Sequence, residues 1–157
     1  MTLPFSPARR NFLKLASVSL GTLCLPQAAY AAKDPVYTSW GVAIKGTDPV
    51  AYFTQGRAVK GSKEFAADYQ GATFYFATSA HRDLFISQPE AYAPQYGGYC
   101  AWAVSNGYTA SITPEAFRIV DGKLYLNYSL RIQQQWDADR DNRIILADRN
   151  WPAVLGQ

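Results

Sequence analysis

The pair Asp121-Gly122 constrains the fold more than any other feature of this sequence, because it separates two β-prone runs. Residues 117–120 precede the pair and residues 123–128 follow it, and both runs are rich in β-branched, aromatic or leucine side chains. Both central residues of a type I′ turn have positive φ, and Asp-Gly adopts that conformation at low steric cost. The sequence therefore predicts an antiparallel hairpin.

A second unit, residues 71–101, joins a strand to a helix. Aromatic side chains dominate residues 73–77, as is typical of a strand. Apolar side chains then recur at helical spacing as far as Pro89. Thr78 or Ser79 can supply the hydroxyl that caps the first turn of this helix.

The N-terminal part of the mature chain predicts short elements. Residues 33–40 are polar and aromatic, and we expect them to form a loosely docked arm. Residues 41–44 predict a brief strand, and residues 45–49 have the composition of a turn. A second apolar segment follows at residues 50–53.

The C-terminal part predicts helices. Residues 99–104 are small and apolar, and their pattern fits either a strand or a turn of helix. Residues 129–151 carry apolar side chains at helical spacing, with Ser129 as a cap and a break at residues 139–142. Together with the hairpin, these patterns predict a small single domain of the α+β class, with short antiparallel strands and a C-terminal helical segment.

The first 31 residues have the composition of an export signal. Arg9 and Arg10 precede an apolar run at residues 13–25, and a small-x-small site ends at Ala31. Paired arginines ahead of such a run are typical of a twin-arginine signal, and an ordinary Sec signal is the alternative. We expect cleavage after Ala31 and a periplasmic protein, with the twin-arginine export machinery as one partner.

Cleavage would separate a signal at 1–31 from a mature chain at 32–157. The signal holds three of the 15 basic residues and none of the 12 acidic ones, so the net charge falls from +3 to about zero. Nucleic-acid binding usually needs a basic surface, and it is excluded here as a function class. The apolar run is shorter than the roughly 20 residues of a comfortable span, so no stable membrane span is expected after cleavage.

Cys100 and His81 are the candidate metal ligands. Cys24 lies in the signal, so the mature chain has one cysteine and one histidine. A structural zinc site usually needs four Cys or His ligands, which excludes structural zinc. Copper accepts thiolate and imidazole, and a carboxylate, a water or a second chain would complete such a site.

Two alternatives stay open for these residues. Cys100 fits a buried structural thiol in a protein-interaction module, with His81 hydrogen-bonded at the edge of the core. It also fits the nucleophile of a thiol-dependent enzyme or redox protein. We assign no residue a catalytic role, because Asp48, Asp121 and the other carboxylates fit turns better than acid–base chemistry.

Aromatic side chains make up 15% of the sequence, more than the core of so small a domain must hide. Tyr96, Tyr99 and Trp102 are therefore candidates for lining a pocket, with ordinary core packing as the alternative. The corresponding partner would be a small ligand or another periplasmic protein.

Several of these motifs are similar to one known family. They comprise Asp48-Pro49-Val50, the strand at 73–76, the helix motif at 82–85, Pro89-Glu90-x-Tyr92, the run at 93–101, the hairpin at 120–128 and Asn150-Trp151-Pro152. In these residues the chain resembles the YHS domain, in the form found in exported bacterial proteins with twin-arginine signals.

The resemblance implies a small α+β domain over residues 32–157, with a C-terminal helical extension. For metal-linked members of the wider family it also implies a cysteine-based metal site, but Ala51, Ala77 and His81 stand at the matching positions here. We therefore expect an exported, non-catalytic binding or accessory module, linked to copper only through Cys100 and His81.

Overall fold

The computed structural model describes residues 32–157. The predicted signal, with Arg9, Arg10, Cys24 and cleavage after Ala31, lies outside these residues. The elements are β1 (Thr38–Ser39), β2 (Val42–Ala43), α1 (Pro49–Gln55), β3 (Ser62–Tyr69), β4 (Ala72–Phe76), α2 (Ser79–Ser87), α3 (Pro89–Tyr92), α4 (Ala101–Ser105), β5 (Thr113–Val120), β6 (Lys123–Asn127), α5 (Leu130–Ala138) and α6 (Arg140–Asn150), with 3₁₀ turns at Ile44–Gly46, Gln95–Gly98 and Ala153–Gly156.

The strands form two small sheets, and the fold class is α+β, as predicted. The first sheet has the order β1-β2-β4-β3 and the second consists of β5 and β6. Strand β2 pairs in parallel with β4, whereas the other neighbours are antiparallel. Most of the pairing therefore comes from hairpins, which local sequence can specify.

The two strongest local predictions are confirmed. Asp121 and Gly122 have φ of 50° and 72°, as a type I′ turn requires, and Val120 pairs with Lys123 across the turn. Thr78 caps α2, because its hydroxyl accepts a hydrogen bond of 3.1 Å from the His81 amide. Strand β4 and helix α2 thus form the predicted strand–helix unit.

The C-terminal helices also follow the sequence pattern. Ser129 caps α5 by accepting a bond from the Ile132 amide, and Asp139 separates α5 from α6. The segment that the sequence leaves open between strand and helix forms α4, from Ala101 to Ser105. Among residues 32–157, no helix combines the length and the apolar character needed to cross a bilayer.

The prediction of a loosely docked N-terminal arm is wrong. Val36 is buried in the core, and the Tyr37 amide donates a 2.9 Å hydrogen bond to the Gly97 carbonyl. The physical reason is the bare backbone of Gly97, since a Cβ there would lie 1.8 Å from the Pro35 carbonyl oxygen. The arm therefore packs against a surface that only glycine provides.

The apolar segment at residues 50–53 is the body of helix α1. Asp48 caps the helix, with its Oδ1 accepting bonds of 2.8 Å and 3.2 Å from the amides of Val50 and Ala51, and Pro49 takes the first helical position. Asp48 ends the segment in which the sequence predicts a turn, and its side chain is fully buried.

Strand β6 separates two halves of the core. Leu124 and Leu126 pack with Phe74, Phe85 and the other members of the first hydrophobic cluster. Tyr125 points to the opposite face and packs in a second cluster with aromatic residues of the C-terminal part, including Trp136. Both faces of β6 are therefore covered, and the strand lies between the two clusters.

Candidate functional site

Cys100 lies directly before helix α4 and is almost fully buried, with 1% of its surface exposed. Its Sγ accepts a hydrogen bond of 3.2 Å from the Tyr128 amide and contacts the Asn127 Oδ1 at 3.8 Å. Burial raises the pKa of the thiol above its ordinary value, and the nearby backbone hydrogen bonds oppose that shift only in part. The side chain is therefore a neutral thiol near pH 7.

Asn127 holds this region together from the end of β6. Its side chain is fully buried, and Oδ1 also accepts a bond of 3.2 Å from the Trp102 amide at the start of α4. The Nδ2 atom makes no hydrogen bond within the described part of the chain. Leaving the Nδ2 group of a buried amide without an acceptor is costly. The two contacts at Oδ1, with the Cys100 thiol and the Trp102 amide, therefore hold the Asn127 side chain in place.

Beside the thiol lies an apolar pocket of about 200 Å³, which we call the Cys100 pocket. Its walls come from α4, from the loop before β5, from the end of β6 and from α5. Its lining residues are Cys100, Trp102, Ala103, Tyr108, Ala110, Tyr128 and Ile132. Tyr108 and Tyr128 are about half exposed and form its rim.

Trp102 is fixed in the wall of this pocket by a cation. The Arg143 guanidinium lies 4.1 Å from the centroid of the indole ring, and Arg143 in turn contacts Asp139 at 3.4 Å. A guanidinium over an indole face favours one orientation of the ring. The pocket wall is thus held by helix α6, which contributes no lining residue itself.

The three predicted pocket residues lie in different surroundings. Trp102 lines the Cys100 pocket, as described above. Tyr96 lines a separate depression near the N-terminal arm, and its hydroxyl donates a 2.8 Å hydrogen bond to Asp148. The Tyr99 hydroxyl donates to the Asp34 carbonyl at 2.9 Å, and its ring meets that of Tyr37 edge to face. Tyr99 therefore helps to dock the arm.

His81 belongs to a second polar centre that the sequence does not reveal. Its Nδ1 lies 2.6 Å from Oδ2 of Asp48, and 16% of its side-chain surface is exposed. The same Oδ2 accepts a 2.8 Å bond from the Ala77 amide. A carboxylate oxygen is an acceptor, so this contact places the hydrogen of Nδ1 towards Asp48.

The Nε2 atom of His81 faces the surface near Thr54, whose Oγ1 is 3.4 Å away. A carboxylate that fixes one ring nitrogen and leaves the other free is the arrangement that orients histidine ligands in metal sites. The sequence contains part of this arrangement, because Asp48 before Pro49 has the pattern of a helix cap. The contact across 33 residues was not readable from spacing.

The structure gives Cys100 and His81 separate partners. Cys100 contacts Asn127 and Tyr128, whereas His81 contacts Asp48 and Thr54. Within residues 32–157, no group of three or more His, Cys, Asp or Glu side chains is arranged to hold a metal ion. Each of the two residues thus has its own set of polar contacts in the described part of the chain.

Comparison with known proteins adds no further assignment. The chain matches no family model, no curated protein and no solved structure. The resemblance to the YHS domain stays a prediction that rests on the sequence motifs alone.

Proposed function

We propose that this protein is a non-catalytic binding module that holds a small, neutral, apolar ligand in the Cys100 pocket. The observation that carries the proposal is the pocket itself, in which aromatic and aliphatic walls surround a buried thiol. A cavity of about 150 Å³ with apolar walls is enough to bind a single aromatic ring, and this one is about 200 Å³. The ligand class is therefore a molecule of about one ring without a formal charge.

The chemistry of Cys100 favours binding over catalysis. A thiol nucleophile reacts as the thiolate, and reactive cysteines usually have a lowered pKa. Burial raises the pKa of Cys100, and no cation or histidine is among its hydrogen-bond partners in the described residues. A protonated thiol is a soft, polarisable surface on which an apolar ligand can pack.

The cellular setting is part of the same proposal. The paired arginines and the small-x-small site at the N-terminal end support export to the periplasm through the twin-arginine route. The YHS-like motifs support an accessory role, in which the module binds a small ligand or a periplasmic partner protein and catalyses no reaction itself. Replacing Arg9 and Arg10 by lysine should block export by this route, and continued export would assign the signal to Sec.

The binding proposal is tested with fluorobenzene as the probe. Leucine in place of Ala110 fills the pocket, so the affinity for fluorobenzene measured by fluorine NMR should fall by at least about tenfold. The matched control is Ala91→Leu, which makes the same change at an exposed position of α3 outside the pocket. Equal affinities in the two variants, or no binding to the unaltered protein, would refute the proposal.

A second candidate function is copper handling, and the orientation of His81 is the observation that favours it. Asp48 holds the ring so that Nε2 faces outward, where it can act as one ligand while a partner or a second chain supplies the others. A copper(I) titration should then show uptake that His81→Asn abolishes and Thr54→Val retains. Unchanged uptake in His81→Asn would exclude this role, and loss of uptake in Cys100→Ala would add the thiol to the ligand set.

A further inference from the structure

Trp40 is completely exposed at the tip of the β1–β2 hairpin. Trp40 and Gly41 form the turn of this hairpin and both have positive φ, at 56° and 79°. Tryptophan has no steric or hydrogen-bonding advantage at such a position, where Asn, Asp and Gly are preferred. A fully exposed indole at this turn is available to contact another molecule.

The indole borders a cleft of about 310 Å³, which we call the Trp40 cleft. Tyr75 on strand β4 and two lysines also line this cleft. The lining residues are Ser39, Trp40, Val42, Lys45, Gly46, Lys60 and Tyr75. None of these residues lines the Cys100 pocket, so the Trp40 cleft is a separate feature of the molecule.

The backbone places both lysines at the cleft. Residues Ile44, Lys45 and Gly46 have consecutive positive φ values of 41°, 58° and 73°, which turn the chain sharply after β2. A β-branched residue in this region is strained, so surrounding contacts must hold the turn. Lys60 is brought alongside by its bridge to Thr47 and by the bond of 2.9 Å from the Gly61 amide to the Gly46 carbonyl.

The charged side chains that line the Trp40 cleft are all positive. Lys45 and Lys60 are exposed, and within the described part of the chain neither forms an ion pair. No acidic residue lines the Trp40 cleft. Glu115 lines the neighbouring depression together with the same two lysines, and it is the carboxylate that moderates their field.

We infer that the Trp40 cleft binds a small organic anion that carries a planar ring. The ring stacks against Trp40 and Tyr75, and the anionic group lies between the ammonium groups of Lys45 and Lys60. Either half of such a ligand alone would bind weakly, because an exposed ion pair and stacking on a single aromatic ring each contribute little to the binding free energy. Recognition therefore requires the ring and the charge in one molecule.

Phenyl phosphate is the probe, with phenol and inorganic phosphate as its two separated halves. Ligand-detected NMR on the protein should show phenyl phosphate binding more tightly than either half. Trp40→Ala should weaken its binding about tenfold, and Lys45→Gln or Lys60→Gln about fivefold each. Trp40→Phe should restore part of the affinity, and Glu115→Gln should increase it.

The control for the two lysines is Lys123→Gln, which removes the same charge from the β5–β6 hairpin outside the cleft. Its affinity for phenyl phosphate should equal that of the unaltered protein. Equal weakening by Lys123→Gln and Lys60→Gln would reduce the effect to net charge and overturn the inference. Binding that survives Trp40→Ala, or no binding of phenyl phosphate at all, would overturn it as well.

Discussion

At the scale of single residues, Asp48 connects more of the structure than any other side chain described here. Its two carboxylate oxygens accept from the amides of Val50, Ala51 and Ala77 and from the His81 ring. These bonds tie the start of α1 to the end of β4 and the first turn of α2. A buried carboxylate is stable only with such a full set of donors.

The first prediction concerns this carboxylate. Asp48→Asn replaces one acceptor oxygen by an NH₂ group that would face amide donors, so the free energy of unfolding should fall by about 2–4 kcal/mol. Urea denaturation measures the change. Asp121→Asn is the matched control, because Asn-Gly also suits a type I′ turn and the stability should stay within about 0.5 kcal/mol. Equal stabilities of the two variants would contradict the role given to Asp48.

The histidine beside it shows where sequence reasoning stops. The position of His81 at the edge of the core follows from helical spacing, because it lies four residues before the buried Phe85. The pairing of His81 with a buried carboxylate cannot be predicted from helical spacing. Asp48 lies 33 residues away, in a segment whose composition is that of a turn. The contact joins the cap of α1 to the first turn of α2, two elements that only the tertiary fold makes neighbours.

At the scale of elements, the hairpin and the caps were predictable because each depends on a few adjacent residues. Asp121-Gly122 defines its own turn, and Thr78 and Ser129 cap the helices that follow them. The N-terminal arm was not predictable, because what holds it is the absence of a side chain at Gly97. A Gly-Gly pair in a sequence indicates a turn and does not indicate what packs on it.

The second prediction tests that packing. Gly97→Ala places a Cβ 1.8 Å from the Pro35 carbonyl oxygen, so the arm must leave its site and the free energy of unfolding should fall by about 2–4 kcal/mol. Limited proteolysis should then cut within residues 32–40. Gly107→Ala is the control, because Gly107 also has positive φ but has no atom within 4 Å of the added Cβ. It should cost only about 1 kcal/mol and leave the arm protected.

At the scale of the whole molecule, the Cys100 pocket is built from segments that are distant in the chain. Cys100 and Trp102 come from the start of α4, Tyr128 from the end of β6 and Ile132 from α5. Strand β6 brings these segments together because its two faces pack into different halves of the core. The sequence could nominate Cys100 and Trp102 separately, but only the tertiary arrangement makes them neighbours.

Burial of many neutral groups gives the molecule a further property, which is sensitivity to alkali. Burial raises the pKa of the Tyr52, Tyr96 and Tyr125 phenols and of the Cys100 thiol. A folded-state pKa above the unfolded value means that stability is complete below the unfolded pKa and falls as the pH rises towards the folded one. Those unfolded values are about 8.5 for the thiol and about 10 for the phenols.

The third prediction is therefore a loss of stability above about pH 9, which steepens above about pH 10. Urea denaturation at a series of pH values measures it, and the absorbance of phenolate shows when the tyrosines ionise. The buried phenols should ionise together with unfolding, and Tyr96→Phe should reduce the slope above pH 10. A free energy of unfolding that stays constant up to about pH 11 would contradict this account.

The most direct test of the proposed function is to locate fluorobenzene on the protein by intermolecular NOEs. We predict NOEs to the methyl groups of Ala103, Ala110 and Ile132, which line the Cys100 pocket. The exposed methyl groups of Ile86 and Ile145, which lie outside the pocket, should show none. NOEs spread over those exposed side chains, with none to Ala110, would contradict the account.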